Sequence, residues 1–329
     1  MIEKTCTTRR GKRVSAIGAG FRDFLRGPSC QGIKKHKTLY LLLLPAVVLI
    51  AIFSYAPMFG LIIAFQDYVS AEGVFGSEFI GFRAFYDILF SPQRASYLEF
   101  RNTIYIALIR IGTNFPIILL FTLLINEIKS KRAKGWVQAI SYVPYFISWV
   151  SVGGMAYNLF KLDGGILNNI LGVFGATPID WYTKSEYWWW ILALSSLWKG
   201  MGWSTLIYIS ALGSIDTELY DACSIDGGGR VRKVFAVTLP GLLNVIMLQL
   251  ILDIGSIMSD NYDQIMAMIN GAQGLYETTQ VVTSLEFAAL GGSGQGTATA
   301  YGLLRGVVGM TLVLIANKVA KNSDSEGII

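Results

Sequence analysis

Apolar residues in this chain come in long runs rather than in single-faced stripes. Six stretches are apolar almost throughout: Leu39 to Phe65, Thr103 to Ile125, Trp136 to Phe160, Tyr187 to Leu212, Val237 to Met258 and Ala298 to Ala320. A helix rising about 1.5 Å per residue needs about 20 such residues to cross a hydrocarbon core about 30 Å thick. Each run is long enough, so the pattern predicts an all-α polytopic membrane protein with six transmembrane helices. The first run is too long and too interrupted by proline for a signal-peptide core, and no small-residue cleavage site follows it, so it is expected to remain as an anchor.

Composition supports this reading. Hydrophobic residues make up 53% of the 329 and charged residues only 15%, far from the balance of a soluble domain. The net charge of +5 matters less than where the cations sit. Segments 1–38, 126–135 and 213–236 hold 10, 4 and 3 Lys and Arg, whereas the intervening 66–102, 161–186 and 259–297 hold 3, 2 and 0. Lys and Arg accumulate in cytoplasmic connections, which places both termini and residues 213–236 in the cytoplasm. The expected organisation is a basic cytoplasmic segment 1–38, a six-helix domain 39–320 with a cytoplasmic loop 213–240, and a cytoplasmic tail 321–329. Nucleic acid is not an expected partner, because no basic patch is interleaved with exposed aromatics.

Candidate chemistry is sparse. Cys6, Cys30 and Cys223 have neither metal-ligand spacing nor an even framework, and they fall in or near a reducing compartment, so they read as free thiols. The single histidine, His36, lies in the basic approach to the first run, which leaves little room for His-based acid–base chemistry or a His-rich metal site. No GxSxG, HExxH or P-loop occurs. No catalytic residue, metal or cofactor is therefore expected on this chain. Residues 21–26, FRDFLR, read either as a short amphipathic surface helix or as disorder. The 39-residue segment 259–297, which ends in GGSGQG, is too long for a plain connector and is expected to form small helices or to bind a partner.

The most polar interruption is DACSIDGGGRVRKVFAVTLP, residues 221–240. Asp216 is placed to cap a helix whose first turn carries Glu218, and Leu219, Ala222 and Cys223 share one face. Gly227, just after Asp226, is positioned to end that helix as a C′ glycine. Val231, Val234 and Phe235 resume helical spacing, and Pro240 suits the first turn of the next helix. The result is a helix, a sharp turn and a helix outside the bilayer, with an apolar face suited to a partner's groove.

This loop resembles the cytoplasmic signature of binding-protein-dependent ABC transporter permeases: Glu-Ala-Ala, three residues, Gly, nine residues, Ile, one residue, Leu-Pro. The pattern falls on Asp221, Ala222, Cys223, Gly227, Val237, Leu239 and Pro240 with every spacing kept. Asp221, Cys223 and Val237 replace Glu, Ala and Ile, and Gly228 and Gly229 stand where Ala and a small polar residue are usual. YLLLLPAVVLIAIFSYAPMFGLIIAFQDY, VPYFISWV, GGILNNILGVFG and ATAYGLLRGVVGMTLVLIANKVAK are similar to the oligosaccharide branch of that family. The resemblance covers the chain from about residue 39 onward. It implies a type I ABC importer permease fold with a cytoplasmic coupling helix. The implied partners are a second permease subunit, an ATPase dimer carrying ATP and Mg, and an extracytoplasmic sugar-binding protein. Asp221 would pair with a basic residue of the ATPase, with Ala222, Cys223, Asp226, Gly227, Leu239 and Pro240 completing the coupling loop.

A charge inside a span costs about 2.5–3.5 kcal/mol on insertion scales, so it marks a cavity or a partner. Arg110, Lys199, Asp253 and Arg305 are such groups. Ser196, Lys199, Gly200 and Trp203 follow i, i+3, i+4, i+7 on the fourth run, and Asp253, Ser256, Ile257 and Asp260 do so on the fifth. In permeases similar to this one the centres of these two spans line the sugar path, where Trp203 would stack on a sugar face and the polar groups would bond hydroxyls. Helix packing, with Asp253 neutralising Lys199 or Arg305, is the competing account. Three positive charges to one negative admit a carboxylate-bearing sugar. An ion-coupled secondary transporter is the alternative function, but it would normally show an internal repeat and would not need the docking loop. A membrane-embedded enzyme would need convergent catalytic groups at one membrane face.

Overall fold

The computed structural model describes residues 37–90, 96–259, 262–291 and 294–322. His36, Cys6, Cys30, the 21–26 segment, Asp260 and residues 323–329 lie outside the described residues. The chain divides into two compact units at residues 62 and 63.

The described residues of the first unit are helical. Helix α1, Lys37–Ile50, passes into a wide π turn at Ala51–Tyr55 and then a tight 3₁₀ stretch at Ala56–Phe65. Pro57 has no amide to continue the i to i−4 ladder, and a change of helical pitch at this point absorbs the missing bond. The whole stretch Lys37–Phe65 is long and apolar enough to cross a membrane.

The second unit begins with a small antiparallel pairing of β1, Gln66–Asp67, with β2, Glu78–Phe79, in register Gln66 to Phe79 and Asp67 to Glu78. Helix α2, Arg83–Phe90, buries Ala84 and Ile88 and leaves Tyr86, Leu89 and Phe90 outside. The central pair is α3, Tyr97–Asn126, and α7, Trp188–Leu212, which pack along most of their lengths. Between them lie α4, Lys131–Tyr142, a 3₁₀ turn at Val143–Phe146, α5, Trp149–Phe160, and α6, Ile166–Val173. After α7 come α8, Thr217–Ile225, and a helical stretch Arg230–Met258 that contains a π turn at Val234–Thr238 and α9, Leu239–Gly255. Helices α10, Tyr262–Ile269, α11, Val282–Gly291, and α12, Gln295–Lys321, complete the chain.

Five of the six expected runs thus appear as helices with ends close to those expected. The third, Trp136 to Phe160, does not form one straight helix. It bends by 95° between Lys131–Phe146 and Trp149–Phe160. Pro144 and the helix-starting Ser148, whose hydroxyl accepts from the Ser151 amide, account for the break. Among the described residues four helices are long and apolar enough to span a membrane, or five if the bent pair counts as one span. Helix α7 has the length, 25 residues, but its Trp, Ser, Gly and Lys content leaves it outside that set.

The 259–297 segment forms helices and supplies core. Ile265, Met268 and Ile269 of α10, with Leu275 and Val281, pack against Trp188 and Leu192 of α7 and Ile106 of α3. A Cβ at Gly153 of α5 would lie 2.2 Å from the Ala267 carbonyl oxygen, so α5 and α10 meet backbone to backbone. Wholly buried Asn102 donates to the Glu277 and Gln280 carbonyls, each at 2.9 Å, and Thr103 accepts from the Val282 amide at 3.0 Å. Tyr182 donates to the Met268 carbonyl at 3.3 Å; burial, and then the neighbouring Tyr157 phenol, push its hydroxyl up to about 12.

Candidate functional site

The polar residues of three long helices converge on one cavity of about 300 Å³. Helix α3 contributes Arg110 and Asn114, α7 contributes Ser196, Gly200, Ser204 and Tyr208, and the α9 region contributes Gln249, Asp253 and Ser256. Each set recurs every three or four residues, so each is a stripe along one helix face. Arg110 Nη2 donates to Ser256 Oγ at 3.4 Å, and Ser256 donates to the Asp253 carbonyl at 2.9 Å. Asn114 Nδ2 donates to Ser196 Oγ, and Gln249 Nε2 to the Asp253 carboxylate, both at 3.4 Å. The cavity therefore presents one cation, one carboxylate, two amides and several hydroxyls. Such a set suits a ligand rich in hydroxyl groups, with long, weak internal bonds that a ligand's hydroxyls can replace.

Of the expected path residues, Arg110, Ser196, Gly200, Asp253 and Ser256 line this cavity. Lys199 and Trp203 do not. Their mean direction lies about 60° round α7 from that of Ser196 and Gly200, at 3.6 residues per turn, and they face the break between α4 and α5. Lys199 Nζ donates to the Tyr145 carbonyl at 2.6 Å, and the Trp203 ring stacks flat on Tyr145 at 4.6 Å. Arg305 also lies elsewhere: it bonds Thr283 and pairs with Glu286 at 3.4 Å, joining α12 to α11. Asp253 is thus near Gln249 and Arg110, and neither Lys199 nor Arg305 forms an ion pair with it. Sequence reasoning missed Asn114, Ser204, Tyr208 and Gln249. The signal was present in the i, i+4 repeats 110/114, 196/200/204/208 and 249/253.

The second feature is the loop between α7 and α9. Asp216 accepts from the Glu218 amide at 2.9 Å, capping α8. The helix ends at Gly227, whose φ of 77° is a left-handed conformation that favours glycine. The Gly228 amide donates to the Cys223 carbonyl at 2.8 Å, and a Cβ at Gly228 would lie 2.7 Å from that oxygen and 2.5 Å from Cys223 Sγ. Tyr220 bonds Thr238 at 3.1 Å, tying α8 to the base of the α9 stretch. Asp221, Ala222 and Asp226 are exposed, Cys223 is half-buried, and Leu239 and Pro240 lie in the first turn of α9. Leu219, Ile225, Val231 and Phe235 leave their apolar side chains outside, Ile225 at 86% exposure. Among the described residues no group of three or more His, Cys, Asp or Glu is placed to hold a metal ion.

Residues 107–316 match a family described as "Binding-protein-dependent transport system inner membrane component". The chain is 34% identical over 295 residues to the polygalacturonan/rhamnogalacturonan transport system permease protein YteP of Bacillus subtilis, covering 89% of this chain and 91% of that protein. It is 34% identical over 300 residues to protein LplB of the same organism, covering 90% and 92%. Among solved structures it is similar to a chain of a bacterial ABC transporter involved in the import of the acidic polysaccharide alginate. That match has a TM-score of 0.80 and 30% identity, and it covers 91% of this chain and 100% of the other. The same similarity, at a TM-score of 0.80, extends to that transporter in complex with an alginate pentasaccharide-bound periplasmic protein.

Proposed function

This chain belongs to the family of binding-protein-dependent transport system inner membrane components, and from that membership we propose that it is one permease subunit of an ATP-driven importer of oligosaccharides, with acidic sugars as the favoured class. The observation that carries the reading is the hydroxyl- and amide-lined cavity between α3, α7 and α9, which joins a cation, Arg110, to groups that suit sugar hydroxyls. Relatives named for polygalacturonan and for alginate support a carboxylate-bearing cargo. In this reading the chain crosses the membrane six times with both termini in the cytoplasm. A second permease completes the path, and an extracytoplasmic binding protein delivers the sugar. ATP and Mg belong to a partner ATPase dimer and the chain itself catalyses nothing.

Helix α8 would be the coupling element. Its capped, exposed position and the apolar side chains around it suit a groove on the ATPase, with Asp221 meeting a basic residue there. The test is uptake of matched acidic and neutral oligosaccharides into proteoliposomes holding both permeases, the ATPase and the binding protein. Uptake should need ATP and no ion gradient, and it should favour the acidic sugar. Asp221→Lys should leave membrane insertion intact while substrate no longer stimulates ATP hydrolysis. Uptake driven by an ion gradient without the ATPase would reject the reading.

A further inference from the structure

Lys199 is a charge within a long helix, and its surroundings are not those of a ligand site. Its ammonium donates to the Tyr145 carbonyl at 2.6 Å and reaches the Pro144 carbonyl at 3.5 Å. It also lies 5.4 Å from the Tyr145 ring centre and 5.3 Å from that of Trp149, so it touches one ring on each side of the 95° break. The end of a helix leaves its last carbonyls without intrahelical donors, and at membrane depth no bulk water supplies them. A cation near a helix C-terminus is also favoured by the helix dipole. The Pro144 carbonyl already accepts from the Ile147 amide at 3.2 Å, so two costs, a charge in a span and the Tyr145 carbonyl at a broken helix end, cancel each other in one contact.

The rest of the neighbourhood is arranged around that contact. One turn before the break, α4 meets α7 backbone to backbone: a Cβ at Gly202 would lie 2.1 Å from the Ser141 carbonyl oxygen. Next to that contact, Trp203 stacks parallel to Tyr145, with 6° between the ring planes. Lys199, about one turn before both contacts on α7, holds the residue whose ring Trp203 covers.

We propose that Lys199 is a positioning residue: its ammonium stands in for the missing helical amide at the Tyr145 carbonyl of the α4–α5 break and so fixes Tyr145 against Trp203, rather than meeting a carboxylate of the cargo. The bend is then held by a side chain of α7, and any movement of α7 in transport is passed directly to α5. The transport arm of the test rests on the proposed import function, but the structural arm does not.

The structural arm is hydrogen exchange, followed by mass spectrometry, of the peptide covering residues 143–150 in the full transporter in lipid nanodiscs. Lys199→Met should raise exchange there at least tenfold, and Lys199→Arg, which keeps charge and donors, should restore it to near the wild-type rate. In proteoliposomes Lys199→Met should lower maximal uptake severalfold with KM for the cargo unchanged, and Lys199→Arg should recover it. Should Lys199→Met not assemble, Lys199→Gln, which keeps a donor without the charge, answers the same question through an intermediate exchange rate. Wild-type exchange in the uncharged variant, or a loss confined to KM for acidic sugar, would overturn the proposal. Raised exchange in Lys199→Met together with a wild-type complex that moves no sugar would uphold the positioning role and reject the import reading instead.

Discussion

Asn102 shows how much a single polar side chain organises here. It has no solvent exposure, and both amide hydrogens go to carbonyls of the segment between α10 and α11. Asn168 plays a similar part in the turn after α6, accepting from the Ile179 amide at 3.0 Å and the Trp181 indole at 3.2 Å. Replacing Asn102 by Leu takes its donor from the Gln280 carbonyl and leaves the Glu277 carbonyl with Arg101 alone, and a buried carbonyl without its partner costs about 1–3 kcal/mol. The purified protein should therefore unfold several degrees earlier, while Asn158→Leu, at an exposed position on α5, should leave the midpoint nearly unchanged. A thermal melt of both variants checks this, and an unchanged midpoint for Asn102→Leu would sink it. Neither asparagine was legible in the sequence, because a polar residue inside or beside an apolar run shows only its expense, not its partner. The charged span residues were legible as costly groups, yet two of the four have their partners away from the cavity: Arg305 on Glu286 and Lys199 on the Tyr145 carbonyl.

Among the elements, the α8 loop was read most fully. Its cap at Asp216, its end at Gly227 and the helical first turn at Pro240 are all local signals, set by residues within a few positions of one another. The glycines after Gly227 are less alike than their sequence suggests. Gly228 leaves no room for a Cβ against the Cys223 carbonyl and thiol, whereas nothing lies within 4 Å of a Cβ at Gly229, whose φ of −74° suits any residue. The Cys223 position and Gly228 are thus one packing unit. Gly228→Ala should displace the end of α8 and lower substrate-stimulated ATP hydrolysis severalfold, and Gly229→Ala should be close to silent. Equal activities in the two variants would show that the turn does not set the position of α8. What the sequence could not reveal was the fate of the 259–297 segment. Small helices were an expected outcome there, but their apolar faces are short, and the α7 and α3 surfaces that bury them are far away in the chain.

At the scale of the whole molecule the open question is the bent pair, since a broken span and a re-entrant loop give opposite topologies. The arms Lys131–Phe146 and Trp149–Phe160 are about 24 and 18 Å long at 1.5 Å per residue, and with a 95° bend their ends lie about 30 Å apart. That separation matches the hydrocarbon core, so the pair is long enough to cross despite its bend. The charge pattern points the same way. If the pair turned back, segments 126–135 and 161–186 would share a side, and the Lys and Arg of the former would no longer lie on the same side as those of 213–236. Crossing keeps the two richer connections and residues 1–38 together, as the positive-inside rule requires. The prediction uses single cysteines at the exposed positions Arg132, Lys184 and Arg232 in a chain whose three native cysteines are serine. In intact cells an impermeant maleimide should label Lys184→Cys, and should reach Arg132→Cys and Arg232→Cys only after permeabilisation. Labelling of Arg132→Cys and Lys184→Cys from the same side would make α4 and α5 a re-entrant loop. It would also leave five crossings and part the termini onto opposite faces. The α8 loop would then no longer share a side with both the amino terminus and the 126–135 connection. Because α8 can meet a cytoplasmic ATPase only from the cytoplasmic face, this labelling also bears directly on the proposed coupling.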